Sequence, residues 1–319
     1  MMKKITALFT ALLTAVLFSG CGNYNIKKSD RLNAVCTVFP IYDWTREIAG
    51  ETADITLLLE NGTDMHSYQP SADDFIKIAS ADILIYIGGE SDKWVKEACL
   101  RSPNKDRTEI NLIDLLGTAA ISEEHEEEHH GNHEDEYDEH IWLSLKNAAK
   151  LTNKISEIFC EKDAENKEVY GKNAELYIKE LYELDREYES ISEAASVKSL
   201  IFADRFPFAY LLCDYGISYT AAFPGCSAET EASFETVTRL AKKADETGAR
   251  YIFTTESPQP LVAETVIKNT DSKNQRILSL DSMQSVTKKR IDGGETYLSI
   301  AKNNLINFKK GLDNDGNAY

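Results

Sequence analysis

Six histidines carry most of the chemistry open to this sequence. Five of them, His125, His129, His130, His133 and His140, fall in the stretch S-E-E-H-E-E-E-H-H-G-N-H-E-D-E-Y-D-E-H-I-W-L-S-L from Ser122 to Leu145. Between Ser122 and His140 stand ten Asp or Glu and no Lys or Arg. Neutral imidazole is the commonest side-chain ligand for zinc and its neighbours, and carboxylates supplement it. A charge block of this kind reads as a solvated, disordered loop, which can still gather ions weakly. His125-Glu126-Glu127-Glu128-His129 formally matches the H-E-x-x-H of zinc proteases. That motif needs a buried helix aiming both rings at one ion. Here no apolar face flanks it and Gly131-Asn132 follows at once, so we reject it as a catalytic site. The run stops at Ile141-Trp142-Leu143, and His140 reads with that apolar segment rather than with the loop. The sixth histidine, His66, lies in N-G-T-D-M-H-S-Y-Q-P between a predicted strand and a predicted helix. That is the carboxyl end of a sheet, where α/β folds bind ligands; taken alone, a loop histidine reads as a surface residue.

The elements that must position these residues follow from patterning. Ala34–Phe39, Ile55–Leu59 and Ile83–Ile87 read as strands, the last a continuous apolar run ending at Gly88-Gly89, as expected for a strand covered on both faces. Ile41–Ala49 has helical spacing and a stop at Gly50. Ser71 is a plausible N-cap for a helix to Ala79, with Asp73 and Asp74 in its first turn. Asn147–Ala195 is helical in pattern. Within it Tyr170, Ala174, Tyr177, Leu181, Leu184, Tyr188 and Ile191 recur at intervals of four and three, predicting one helix of about 30 residues and ~45 Å. Three heptads flanked by α/β segments read as a helix lying along a globular body rather than a coiled coil. Beyond it, strands at Ser199–Phe202, Tyr251–Thr255 and Arg276–Leu280 alternate with helices at Pro207–Tyr215, Phe234–Thr247, Pro260–Asn269 and Glu295–Gly311. The expected fold class is therefore α/β, with two βα-built lobes and parallel-type sheets joined by one long rigid helix. The expected boundaries are a signal peptide at 1–21, a tether at 22–33, an N-terminal lobe at 34–162 with the His/acidic loop at 122–139, a linking helix at 163–196 and a C-terminal lobe at 197–319.

Bulk properties exclude some classes. A net charge of −18 argues against nucleic-acid binding and against charge-driven adhesion to anionic membrane. The six cysteines include no C-x-x-C pair, so no zinc ribbon or thioredoxin-like motif is suggested. Lys3-Lys4 followed by the apolar Ile5–Phe18 forms a leader too short to remain as a spanning helix. It ends in Leu17-Phe18-Ser19-Gly20-Cys21, which resembles the lipobox of bacterial lipoproteins with Phe18 where Leu is usual. Cys21 is the expected lipidation site, and an ordinary signal peptide is the alternative.

Three segments, F-P-I-Y-D-W from Phe39, G-T-D-M-H-S-Y-Q-P from Gly62 and D-E-H-I-W-L-S from Asp138, together resemble the metal-binding substrate-binding proteins of ABC importers for zinc and manganese. A-D-R-F-P-F from Ala203, F-T-T-E from Phe253 and L-D-S from Leu280 continue the similarity, in order, through nearly all of the chain after the leader. The resemblance implies one ion bound between two lobes. His66 and His140 match the family's two N-terminal-lobe histidines, and Asp281 its final aspartate. The third position, usually His or Glu, falls on Arg205, whose guanidinium offers no lone pair; Asp204 or a water takes that place. Asp204 and Asp281 are also placed to cap helices. Glu256 is expected to accept an N–H from a ligating imidazole. Cys226 is a further candidate, more simply read as a buried thiol.

On that resemblance the expected function is extracytoplasmic zinc capture and delivery to an ABC permease and its ATPase, by a monomer held to a bacterial membrane through a lipid only. Two imidazoles plus carboxylates accept Zn2+ or Mn2+; the general affinity order favours zinc, and the resemblance implies the same, since zinc-importer members of the family commonly carry a His-rich loop. The alternatives are a manganese importer component, a zinc hydrolase with Glu256 as base, and a metal-scavenging adhesin.

Overall fold

The computed structural model describes residues 30–60, 62–117, 120–121, 137–223, 232–256 and 259–313. Cys21, the loop histidines 125, 129, 130 and 133, and Cys226 lie outside the described residues. The first sheet contains β1 (Leu32–Cys36), β2 (Ala53–Leu57), β3 (Ile83–Tyr86) and β4 (Thr108–Asn111), all parallel, in the order β2-β1-β3-β4. The second contains β5 (Ser199–Phe202), β6 (Ser218–Ala221), β7 (Tyr251–Thr254) and β8 (Arg276–Ser279), again all parallel, in the order β6-β5-β7-β8. Both orders reverse direction beside the first strand of the sheet, which opens a crevice at the carboxyl ends.

Helices cover these sheets for local reasons. α1 (Phe39–Ala49) carries Pro40 in its first turn, where a missing N–H costs nothing, and stops at Gly50, whose φ is +56°. α2 (Ala72–Ser80) begins in a capping box: Ser71 Oγ accepts the Asp74 N–H while the Asp74 carboxylate takes the Ser71 N–H. α3 (Lys93–Arg101), α4 (Leu112–Leu116) and α5 (Leu145–Lys162) complete the N-terminal half.

The helical pattern from Asn147 to Ala195 comprises two helices. α5 ends at Lys162 and α6 runs Lys167–Ala194, 28 residues or about 42 Å. The Asp163 carboxylate fixes the turn between them by accepting from Asn166 Nδ2 and Tyr170 Oη, both at 2.7 Å. The stripe Tyr170, Ala174, Tyr177, Leu181, Leu184 and Tyr188 is buried, as the 4-3 spacing requires. Near its start α6 packs on α1 and α5, and Asn173 Nδ2 donates to Ile48 O at 3.1 Å. Near its end it meets the second half: Tyr188 Oη donates to Ala301 O and Tyr215 Oη to Asp185 Oδ1, each at 2.8 Å. One rod is thus bonded to both sheets' helical layers.

The second half adds α7 (Ala209–Asp214), α8 (Phe234–Thr247), α9 (Leu261–Asn269), α10 (Lys288–Asp292) and the closing α11 (Tyr297–Leu312). One core runs through both halves, from Val35 and Leu84 past Leu181 and Tyr188 to Phe202 and Phe308, and a smaller one lies under α8 and α9 around Leu240, Ile252 and Val266. Strands β4 and β6 were not anticipated. Both are four-residue edge strands, T-E-I-N and S-Y-T-A, with too few buried positions to leave a periodic signal.

Candidate metal centre

Of the predicted site residues that are described, His66 follows β2, Asp204 and Arg205 follow β5, Glu256 follows β7, Asp281 follows β8, and His140 precedes α5. The loop after β2 carries Asp64 and the short 3-10 turn Met65–Ser67, in which the Asp64 carboxylate accepts the His66 N–H at 3.0 Å. The His66 ring is held at Nδ1 by Ser91 Oγ, 2.8 Å away, from the turn Glu90–Asp92 that follows β3. His140 sits just before the 3-10 turn Ile141–Leu143 and is 1% exposed. Asp138 Oδ1 accepts both the His140 backbone N–H at 2.8 Å and the ring Nδ1 at 2.6 Å. With Nδ1–H given to a carboxylate, the lone pair is left on Nε2.

The two rings lie with centroids 5.5 Å apart, at 51° to each other. Two imidazoles on one tetrahedral ion, with Zn–N bonds of about 2.05 Å, place their centroids roughly 5 Å apart, so this spacing suits a shared ion. Trp142 flanks His140 edge-on with centroids 5.3 Å apart, and its Nε1 donates to Ser282 O at 2.9 Å. That bond ties the histidine's own segment to the loop after β8.

The acidic side chains of the second half are at the crevice but already engaged. Asp281 gives one oxygen to Arg290 Nη2 at 2.6 Å and the other to the Met283 N–H at 2.8 Å. Asp204 accepts from Thr255 Oγ1 at 2.7 Å, the Thr255 N–H at 3.2 Å and the Arg205 N–H at 2.8 Å. Neither caps a helix: Phe208 and Thr287 stand at the caps of α7 and α10. Among the described residues no three His, Cys, Asp or Glu side chains form a set that could hold an ion. The structure brings the two imidazoles together and leaves the carboxylates bound to arginine and backbone N–H groups. Arg205 itself reaches across the crevice, donating to Asp64 Oδ2 at 2.6 Å. Burial works to raise the Asp64 pKa, but this guanidinium and the His66 N–H outweigh it, and the carboxyl lies below its ordinary range.

Glu256 has a different task from the one expected of it. Its carboxylate accepts the Ser282 N–H at 2.8 Å and Ser282 Oγ at 2.7 Å, and so shapes the Asp281 loop. The carboxylate that holds a ligand-type ring is Asp138. Burial, and then the charge of Asp281, push the Glu256 pKa up.

Sequence reasoning also passed over Asp92, Ser91, Glu139 and Gly89. Asp92 closes the turn after β3, its Oδ2 accepting from the Ile87 N–H at 2.6 Å and the Gly88 N–H at 3.3 Å. Burial raises its pKa to about 7. A carboxyl whose folded pKa exceeds its unfolded one binds the proton more tightly when folded, so its contribution to stability is full at acid pH and is lost as pH rises through 7. Asp92→Asn, neutral throughout, should therefore gain on the parent between pH 5 and 8 by on the order of 2 kcal/mol. Paired thermal melts at the two pH values measure this, and a constant difference between the proteins would refute it.

A family model described as zinc-uptake complex component A, periplasmic, matches residues 34–311. The chain belongs to that family. The zinc-binding lipoprotein AdcA of Streptococcus pneumoniae is 32% identical over 324 residues, covering 99% of this chain and 62% of the relative. The chain thus spans about three-fifths of the AdcA length. The high-affinity zinc uptake system protein ZnuA of Bacillus subtilis is 30% identical over 322 residues, covering 98% of this chain and 99% of the relative. The Zn(II)-bound ZnuA-like domain of S. pneumoniae AdcA superposes with a TM-score of 0.72 at 29% identity, over 89% of this chain and 99% of that one. Membership of the zinc-uptake component A family relates the chain to proteins named for zinc uptake. It also accounts for the two parallel sheets and the single long helix as the family's architecture.

Proposed function

We propose that this protein is the extracytoplasmic zinc-binding component of an ABC importer, capturing one Zn2+ in the crevice and delivering it to a membrane permease. The observation that carries this reading is the pairing of His66 and His140 across 74 residues of chain, rings 5.5 Å apart, each held at Nδ1 by the protein. In this reading the two imidazoles are the first ligands. Asp281 and Asp204 supply oxygen once the ion competes them away from Arg290 and Thr255. Zn2+ is the cargo in preference to Mn2+, because imidazole nitrogen suits zinc better than it suits the harder manganese ion, and because the relatives named above are zinc proteins. A zinc hydrolase would need Glu256 free as a base, and that carboxylate is engaged by Ser282. The His/acidic loop gathers ions weakly, and acylated Cys21 keeps the monomer beside its permease and ATPase; no helix among the described residues is long and apolar enough to cross a membrane. Because α6 is bonded to both halves, lobe movement is confined to small tilts.

Metal analysis and calorimetric titration of the metal-stripped protein test this. One zinc per chain should bind with Kd well below ~1 μM, with weaker sites in addition, and manganese should fail to displace it. Equal affinity for the two ions, or no site tighter than the weak ones, would overturn the assignment.

A further inference from the structure

The turn after β3 contains an arrangement that the zinc reading does not itself require. Ser91 stands between the His66 ring and a second acidic side chain, Glu139. Its Oγ lies 2.8 Å from His66 Nδ1 and donates to Glu139 Oε2 at 2.5 Å, while its backbone N–H donates to Glu139 Oε1 at 2.6 Å. The direct separation of His66 Nδ1 from Glu139 Oε2 is 3.6 Å, beyond hydrogen-bond reach, so the hydroxyl is the intermediary. The Glu139 carboxylate is deeply buried, and the fold keeps space for it. A Cβ on Gly89 would lie 2.2 Å from Glu139 Oε1. Gly89 has extended backbone angles open to any residue, so the space for the carboxylate, and not the conformation, is what excludes a side chain there.

We propose that Ser91 and Glu139 are positioning residues that set the tautomer of His66 through a hydroxyl relay. A carboxylate only accepts. The single hydroxyl proton of Ser91 is directed to Glu139, so Ser91 Oγ accepts from the ring. The proton therefore sits on His66 Nδ1, and Nε2 keeps its lone pair. His140 reaches the same state directly through Asp138 Oδ1. Both rings thus carry the proton on Nδ1 and the lone pair on Nε2, one set by a carboxylate in contact and the other by a carboxylate one hydroxyl away.

This inference rests on the zinc reading for its purpose but not for its geometry, and the test separates the two. The tautomer of each ring is read in metal-free, 15N-histidine-labelled protein by long-range 1H–15N correlation at pH 8, and zinc affinity is measured on the same samples. In the parent protein His66 should be protonated at Nδ1. Ser91→Ala should abolish that preference at His66, leave the His140 ring unchanged and weaken zinc binding on the order of 10-fold. Glu139→Gln should act in the same direction, and Ser91→Thr, which keeps the hydroxyl, should restore both readouts. A parent His66 protonated at Nε2 would overturn the relay, as would a Ser91→Ala protein with unchanged tautomer and affinity within twofold of the parent. Failure of the parent to bind zinc while the tautomer shifts as expected would instead fault the functional reading.

Discussion

Replacing either His66 or His140 with alanine should weaken zinc binding on the order of 100-fold or more. Loss of an outer-shell partner alone commonly costs 10- to 100-fold, and a lost ligand exceeds that. The two variants should differ in stability. His66 is a partly exposed side chain on a short turn, and its truncation should stay within about 1 kcal/mol of the parent. His140 is buried against Trp142 with its Nδ1 on Asp138, so alanine leaves both a hollow and a carboxylate short of a donor. A loss of about 1–3 kcal/mol follows. The double variant should bind little worse than either single one, because the two rings serve one ion and their effects are not additive. Calorimetry and denaturant melts on the three proteins provide the comparison. Zinc affinity within threefold of the parent in either single variant would remove the physical basis of the site.

Trp142→Ala should be the most destabilising single change near the crevice, at about 3–5 kcal/mol for loss of a large buried aromatic. The side chain is 1% exposed and touches both halves at once. Its Nε1 bonds Ser282 O, and its own carbonyl accepts Tyr297 Oη at 2.5 Å. Trp142→Phe separates packing from the bond. It retains most of the volume but orphans the Ser282 carbonyl, for a loss of about 1–3 kcal/mol. Zinc affinity should follow the same ranking, since the ring that buttresses His140 is removed in one variant and kept in the other. Urea denaturation gives the stabilities. A Trp142→Ala protein within 1 kcal/mol of the parent would refute a stabilising role for this contact between the halves.

Much of the architecture was legible in the chain because it is encoded locally. The 4-3 recurrence from Tyr170 to Tyr188 makes a buried stripe only as a helix, and α6 occupies Lys167–Ala194 accordingly. Ser71 with Asp74 three residues on is a capping box in the sequence and in the structure. Even Asp138 was within reach, since an aspartate two residues before a histidine can accept both its backbone and its ring N–H. What the pattern does not mark is the part of the Asp163 carboxylate in the turn before α6, which works through Asn166 and Tyr170 without altering the helical spacing on either side.

By itself the sequence determined most of the strands and helices, and that His66 and His140 fall in loops beyond them, because hydrophobic period and capping chemistry act over a few residues. Only the tertiary structure decided which side chains meet. Ser91 and Glu139 are 48 residues apart, Arg205 and Asp64 141 apart, and Trp142 and Ser282 140 apart, and no local pattern marks such pairs. Arg205, at the position where the family usually has His or Glu, spans the crevice to Asp64, and the acid expected to orient an imidazole, Glu256, orients the Asp281 loop instead. A carboxylate takes the nearest strong donor that folding delivers to it, and that donor is fixed by how β-strand ends from two separate sheets are brought face to face.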